Sequence, residues 1–431
     1  MSVSVTRRKE GLKGTYRVPG DKSISHRAVM LGAIADGDTH VTGFLNGADC
    51  TSTIGCFNAM GVDIDYDGGT DVTVHGVGLC GLREPSDTLD CGNSGTTTRI
   101  ISGLLSGQSF ASSLTGDDSI KRRPMKRIID PLRLMGADIR SVKDNGCAPL
   151  AISPSGLHGI EYHSPVASAQ VKSCLLMAAL YARGATTVHE PALSRDHTEL
   201  MLKAMGADIK RAGLAVTLTP GRSLHALDIH IPGDISSAAY LIGAALLVPG
   251  SDIIIENVGI NPTRDGILRV FRGMGADIEL EGSHTEAGEE VADIRVRYSD
   301  LHGVTIGGDI IPALIDEIPL IAVVAACAEG TTVIKDAGEL RVKESDRIAL
   351  VTSNLKAMGA DIEASDDGFI INGGGESLPL HGTGIDDALD HRIAMSFAIA
   401  GLVAEGTTVI SHPECVSISY PGFFDLFRTV S

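Results

Sequence analysis

A pentapeptide returns along this chain at a spacing that points to a tandem architecture. Met60-Gly61-Val62-Asp63-Ile64 is followed by Met-Gly-Ala-Asp-Ile at 135–139, 205–209, 274–278 and 358–362. The interval is about 70 residues, so a chain of 431 residues holds about six units. A second signature precedes it: Gly-Ala-Thr-Thr-Val at 184–188 and Gly-Thr-Thr-Val at 330–333 and 406–409, with looser forms at 37–41, 107–110 and 250–253. One unit can be written out from the third copy. An apolar helix near 173–182 leads to a glycine turn and a β-branched strand near 186–189. An amphipathic helix near 198–205 follows, and Gly206 suits the residue just past its end, where positive φ is needed. A strand then begins at Ala207-Asp208-Ile209. The sixth copy stops after 423–427 without that strand, and the first strand of the chain, near Tyr16-Arg17-Val18, is expected to complete it. Solenoids stack shorter repeats, so units of this size predict two compact domains of three copies each.

Composition narrows the function. Hydrophobic residues make up 43% and charged residues 21%, which excludes a disordered chain. The net charge of -18 argues against a nucleic-acid partner, and small anionic substrates would need a local cluster of Lys and Arg. Eight cysteines, none in a Cys-x-x-Cys pair, read as buried thiols of a reducing compartment. Residues 1–14 are polar and basic, without the apolar stretch of a secretory signal. Apolar runs such as 321–328 are too short to span a bilayer. The expectation is a soluble cytoplasmic protein.

The chemistry-bearing residues gather at one place in the repeat, the start of its first helix. The six copies read Pro19–Arg27, Gly92–Arg99, Ser168–Lys172, Gly233–Ser237, Ile315–Pro319 and Leu389–Arg392. Ser, Asp and Asn there are ordinary helix caps. Taken together, equivalent helix ends aimed at a common point would also form an anion site. Lys22, Arg27, Arg99, Gln170, His391 and Arg392 are more than capping requires. Two basic loops, Lys121–Arg127 and Arg341–Arg347, occupy equivalent places before second helices. Each is either a solvated charged face or part of the cationic cluster that multiply charged substrates need. Asp316 and Glu344 sit among these cations, as partners of neighbouring arginines or as a general base and a general acid.

The stretches Pro19–Arg27, Gly92–Thr96, Arg341–Arg347 and Asp390–Arg392 resemble the enolpyruvyl transferase family, and within it the branch that uses shikimate 3-phosphate. The likeness runs from about residue 10 to the C-terminus, with the motifs in family order. It implies an α/β fold of two similar globular domains, each of three βαβαββ repeats in an inside-out α/β barrel, that close on substrate. One domain would span 20–232 and the other 1–19 with 233–431, hinged near 17–20 and 231–234. The reaction implied is attack of the 5-hydroxyl of shikimate 3-phosphate on C2 of phosphoenolpyruvate while C3 gains a proton. The tetrahedral intermediate then loses phosphate, in a step of aromatic amino-acid (chorismate) biosynthesis. No metal or organic cofactor is implied, and a monomer is expected.

Carried over by motif, Lys22, Ser23, Arg27, Ser168, Gln170, Arg195, Asp316 and Lys343 would hold shikimate 3-phosphate. Lys22, Gly95, Arg123, Gln170, Arg347 and Arg392 would hold phosphoenolpyruvate. Asp316 would accept the hydroxyl proton and Glu344 deliver one to the methylene carbon, with Lys22 as the third catalytic group. The division of proton transfers among them stays open. The herbicide glyphosate, which targets this family at the phosphoenolpyruvate subsite, is expected to inhibit. The chain departs from one branch at Glu339 (Asn there), at Arg195 (Tyr there) and at 416–421, which lacks that branch's lysine. The sister transferase acting on UDP-N-acetylglucosamine carries Asn after the first lysine and a reactive loop cysteine. Here Ser23 follows Lys22, and 116–123 has no cysteine.

Overall fold

The computed structural model describes residues 2–286, 288–375 and 379–428. Residues 1, 376–378 and 429–431, within the second expected domain, lie outside the described set, as does 287. The chain divides into two compact units. The first comprises Gly20–Ile231 with Thr285–Glu289; the second comprises Met1–Pro19, Pro232–His284 and Glu290–Ser431. Each has its own apolar core.

The second copy shows the unit plainly: strand Leu89–Asp90, helix Gly95–Leu105, strand Ser112–Thr115, helix Lys126–Leu134, then strands Asp138–Ser141 and Leu150–Ser153. The first two strands are parallel, joined through the first helix, and the last two form an antiparallel hairpin that pairs back on the second strand. The same βαβαββ order recurs, and among the described residues each repeat owns one sheet. The glycine ending each Met-Gly motif helix has positive φ, as expected: Gly61 +83°, Gly136 +93°, Gly206 +96°, Gly275 +96° and Gly359 +89°.

First helices such as Ile235–Leu247 and Ile318–Cys327 are apolar on nearly every face, because they lie inside their unit and sheets cover them. Helices Gly95–Leu105 and Ala169–Ala179 pack so closely that a Cβ on Gly103 would stand 1.9 Å from the Cys174 carbonyl oxygen. Only glycine permits that approach.

Two expectations need correction. The strand ending at Tyr16 (Lys13–Tyr16) pairs with Asp252–Gly259 and opens the fourth repeat. It is Val3–Thr6 that completes the sixth, antiparallel to Thr407–Ile410. The first repeat likewise takes its opening strand, Ile229–His230, from after the third. The cysteines are not all buried: Cys80 is exposed, and Cys147 and Cys327 are half-buried.

Candidate active-site residues in each unit

In the first unit, three first helices begin at Lys22, Gly95 and Ala169, capped by Asp21, Ser94 and Ser168. The cap oxygens accept from the backbone N–H of Ile24 at 2.9 Å, Thr97 at 3.0 Å and Val171 at 3.4 Å. The caps therefore lie on the same turns as the candidate site residues Lys22, Gly95 and Gln170. Lys22 opens its helix, and its ammonium meets buried Asp49 at 2.5 Å. Arg27, one turn on, is buried: it donates to the Ser23 carbonyl at 2.8 Å, to Thr198 at 2.6 Å and to Ser173 at 2.9 Å. Burial pulls its guanidinium down to about 10, partly offset by Glu199 and Asp21, and Arg195 is near enough to push it the same way as burial does. The neighbouring His26 is held well below its ordinary range by burial and then by Lys22 and Arg27, so it stays neutral. Its Nδ1 meets Thr53 at 2.7 Å, and Thr53 meets Thr97 at 2.7 Å, tying the first repeat to the second.

The second cluster of this unit surrounds Gly95. A Cβ there would stand 3.1 Å from an Arg99 nitrogen and 3.2 Å from an Arg123 nitrogen. Arg99 donates to the Gln170 amide oxygen, and Gln170 donates to Thr96 at 3.1 Å. Arg123 is steered by Asn93 Oδ1 at 2.9 Å and Ser119 at 3.1 Å. The basic loop thus splits: Arg123 turns inward, while Arg122 and Lys126 face solvent. The sequence reading did not anticipate buried Lys172, gripped by Glu190 and Glu199 at 2.7 Å each. Burial raises the Glu199 carboxyl against the pull of Lys172. Lys172 follows Gln170 by two residues, but its acidic partners lie in a later loop and helix, so no local pattern announces them.

In the second unit Arg347 is the centre. Its side chain is almost fully buried, and it binds Asp390 at 2.8 and 3.2 Å, Glu344 at 2.6 Å and Asp316 at 3.3 Å. Burial would lower its affinity for a proton; the three carboxylates reverse that and hold it above the ordinary value. Burial would likewise raise Asp390, but Arg347 keeps it below the usual range. Lys343 reaches Asp316 at 3.2 Å. Asp316, Lys343, Glu344 and Arg347 therefore form one connected group. Arg392 stands beside it, 3.9 Å from buried Glu317, and interacts with Tyr240, whose phenol burial pushes up to about 12. Ser236 donates to Glu317, and Arg264 donates to Ser236 at 2.7 Å, so the starts of the fourth and fifth first helices are hydrogen-bonded together.

The backbone feeding this group is strained. Ala388 and Leu389 both have positive φ, +47° and +60°. Asp386 and Asp387 side chains hold their N–H groups at 3.2 and 3.1 Å, and His412 anchors Asp387 at 2.7 Å. Two successive left-handed residues cost about 1–3 kcal/mol each, and such strain persists where surrounding contacts over-determine it. Here it aims Asp390 at Arg347.

With this geometry in view, the comparisons with known proteins are decisive. A family model described as EPSP synthase (3-phosphoshikimate 1-carboxyvinyltransferase) matches residues 6–427. The chain belongs to the EPSP synthase family. A 3-phosphoshikimate 1-carboxyvinyltransferase of Brevibacillus brevis is 55% identical over 420 residues, 97% of this chain and 98% of that protein. One of Desulforamulus reducens is 53% identical over 419 residues, 97% of each chain. A solved EPSP synthase of Acinetobacter baumannii superimposes with a TM-score of 0.90 at 46% identity, covering 100% of this chain and 98% of that one. This EPSP synthase-family chain is thus related to these proteins along almost its whole length, and its α/β architecture is theirs. Among its described residues, no helix is long and apolar enough to cross a membrane.

Proposed function

We propose that this chain transfers the enolpyruvyl group of phosphoenolpyruvate to the 5-hydroxyl of shikimate 3-phosphate and releases phosphate, on the way to the aromatic amino acids. The observation that carries the assignment of residues is the group around Arg347, where two partly buried acids stand within hydrogen-bond reach of cations. Asp316 accepts the hydroxyl proton as general base, positioned by Lys343 and Arg347. Glu344 supplies the proton to the methylene carbon. An anionic substrate drawn to Arg347 competes with Glu344 for that guanidinium and frees the acid to turn toward the methylene carbon. Lys22 serves both substrates. Shikimate 3-phosphate is assigned to Lys22, Ser23, Arg27, Ser168, Gln170, Arg195, Asp316 and Lys343. Phosphoenolpyruvate is assigned to Lys22, Gly95, Arg123, Gln170, Arg347 and Arg392. Fixed guanidinium forks suit both phosphate and carboxylate.

The same reading makes the protein a cytoplasmic monomer acting on small molecules, in keeping with its net charge of -18, which disfavours nucleic acid. The test is phosphate release from phosphoenolpyruvate by the purified protein. Release should require shikimate 3-phosphate and yield the enolpyruvyl ether. Release independent of shikimate 3-phosphate, or none, would remove the proposal.

A further inference from the structure

We infer that the third repeat carries a binding site for a divalent transition metal of the zinc, nickel or copper kind, formed by Glu161, His163 and His189. Glu161 and His163 are alternate residues of the strand Glu161–His163, so their side chains leave the same face of the sheet. The parallel strand Thr186–His189 sets His189 directly opposite His163. The two imidazole rings are stacked, with centroids 4.3 Å apart and planes 10° from parallel. A single oxygen of Glu161 lies 2.9 Å from His189 Nε2 and 3.8 Å from His163 Nε2. One donor atom from each of the three residues falls within 4.8 Å of the other two.

The distances suit an ion. A tetrahedral metal with bonds of about 2.0–2.1 Å holds its ligand atoms about 3.3 Å apart. The two carboxylate–imidazole distances, 2.9 and 3.8 Å, bracket that value, and the two imidazole donors lie within 4.8 Å of each other. Two imidazoles and one carboxylate select zinc, nickel or copper over calcium and magnesium, which prefer all-oxygen shells. The residues are on the exposed side of the sheet, which leaves further positions of the ion to water.

The repeat supplies an internal control, because its fold does not require this trio. The corresponding strand ends carry Arg17 with Glu256 in the fourth repeat, an ion pair at 2.8 Å, and His230 with Thr42 in the first, also at 2.8 Å. In the second, Asp90 stands opposite Thr115. In the first and fourth repeats the two polar residues satisfy each other. Among the described residues, three metal-donor side chains converge at this place in the third repeat only. The trio lies outside the groups assigned to the reaction, so the ion ties together two strands whose onward loops lead to Ser168 and to Arg195.

Titration calorimetry of the full-length protein with zinc chloride alone, after chelator treatment and with exposed thiols blocked, tests the site. Wild type should bind one ion, and zinc should raise its Tm. His163→Ala and His189→Ala should each weaken binding at least about tenfold, since loss of even an outer-sphere partner costs about 10–100-fold. Both should keep their metal-free Tm and lose the zinc-induced rise. Should either histidine variant fold poorly, Glu161→Gln, which keeps the side chain's size, must show the same loss. Zinc binding by His189→Ala equal to wild type, or no binding by wild type at millimolar zinc, overturns the inference.

Discussion

An alanine methyl at position 95 would press on the ends of two long side chains, Arg99 at 3.1 Å and Arg123 at 3.2 Å. Guanidinium ends can yield by a few tenths of an ångström, so Gly95→Ala should fold. The displaced arginines would narrow the subsite proposed for phosphoenolpyruvate. We expect the glyphosate inhibition constant to rise at least about tenfold, a loss of about 1.4 kcal/mol, with kcat reduced by less than that. Unchanged inhibition in steady-state assays would refute this geometry. The acids permit a sharper experiment. Asp316→Asn and Glu344→Gln keep hydrogen-bonding capacity beside Arg347 while removing the titrating group. Each should cut kcat by about 10²–10⁴ with Tm close to wild type. Near-normal turnover would leave them as ion-pair partners only. That alternative was open in the sequence, and both acids do pair with Arg347.

The fourth prediction belongs to a helix pair. Helices Gly95–Leu105 and Ala169–Ala179 touch backbone to backbone at Gly103, where an added Cβ meets the Cys174 carbonyl at 1.9 Å. Backbone cannot step aside as a side-chain end can, so Gly103→Ala should lose about 1–3 kcal/mol in denaturant unfolding. It should also disturb Gln170, one turn from the contact, and raise KM. A sheet offers a fifth test. His75 lies between Asp38, 2.9 Å from Nδ1, and Asp65, 3.2 Å from Nε2. These hydrogen bonds, Asp38 first, raise its affinity for a proton above the unfolded value near 6.5. Its stabilisation is therefore present below about pH 6.5 and fades as pH climbs through the raised folded value. The group is exposed, so the effect is small: the Tm gap between wild type and His75→Ala should be largest near pH 6 and close at high pH. At the level of elements much was readable in advance. The five Met-Gly motifs mark real helix ends because a C′ glycine is a local requirement of backbone conformation. The caps Asp21, Ser94 and Ser168 were readable for the same reason. Lys172 with Glu190 and Glu199 was not, since nothing adjacent in sequence says which buried face will receive a charge.

Across the whole molecule, the N-terminal strands serve repeats far from them in sequence. Val3–Thr6 is the edge strand of the sixth repeat and Lys13–Tyr16 the opening strand of the fourth. Deleting residues 2–8 would leave Thr407–Ile410 with an open edge and four unmatched register positions. At about 0.5–1.5 kcal/mol for each lost hydrogen bond, the second unit should lose about 2–6 kcal/mol. Limited proteolysis should then cut first in that unit, with the Gly20–Ile231 fragment persisting. Equal resistance of both units would contradict the pairing.

What the chain determined by itself was whatever depends on neighbours in sequence: the repeat period, the helix ends, the glycine turns and the set of cations and acids at equivalent places. Those features follow from backbone sterics and side-chain chemistry within a few residues, which any reader of the sequence can apply. Tertiary structure decided which strand completes which repeat, which arginine of each basic loop turns inward, and which carboxylates surround Arg347. Those outcomes depend on burial and on partners tens to hundreds of residues away, and a charge or a strand edge finds its lowest free energy only when all the competing partners are in place.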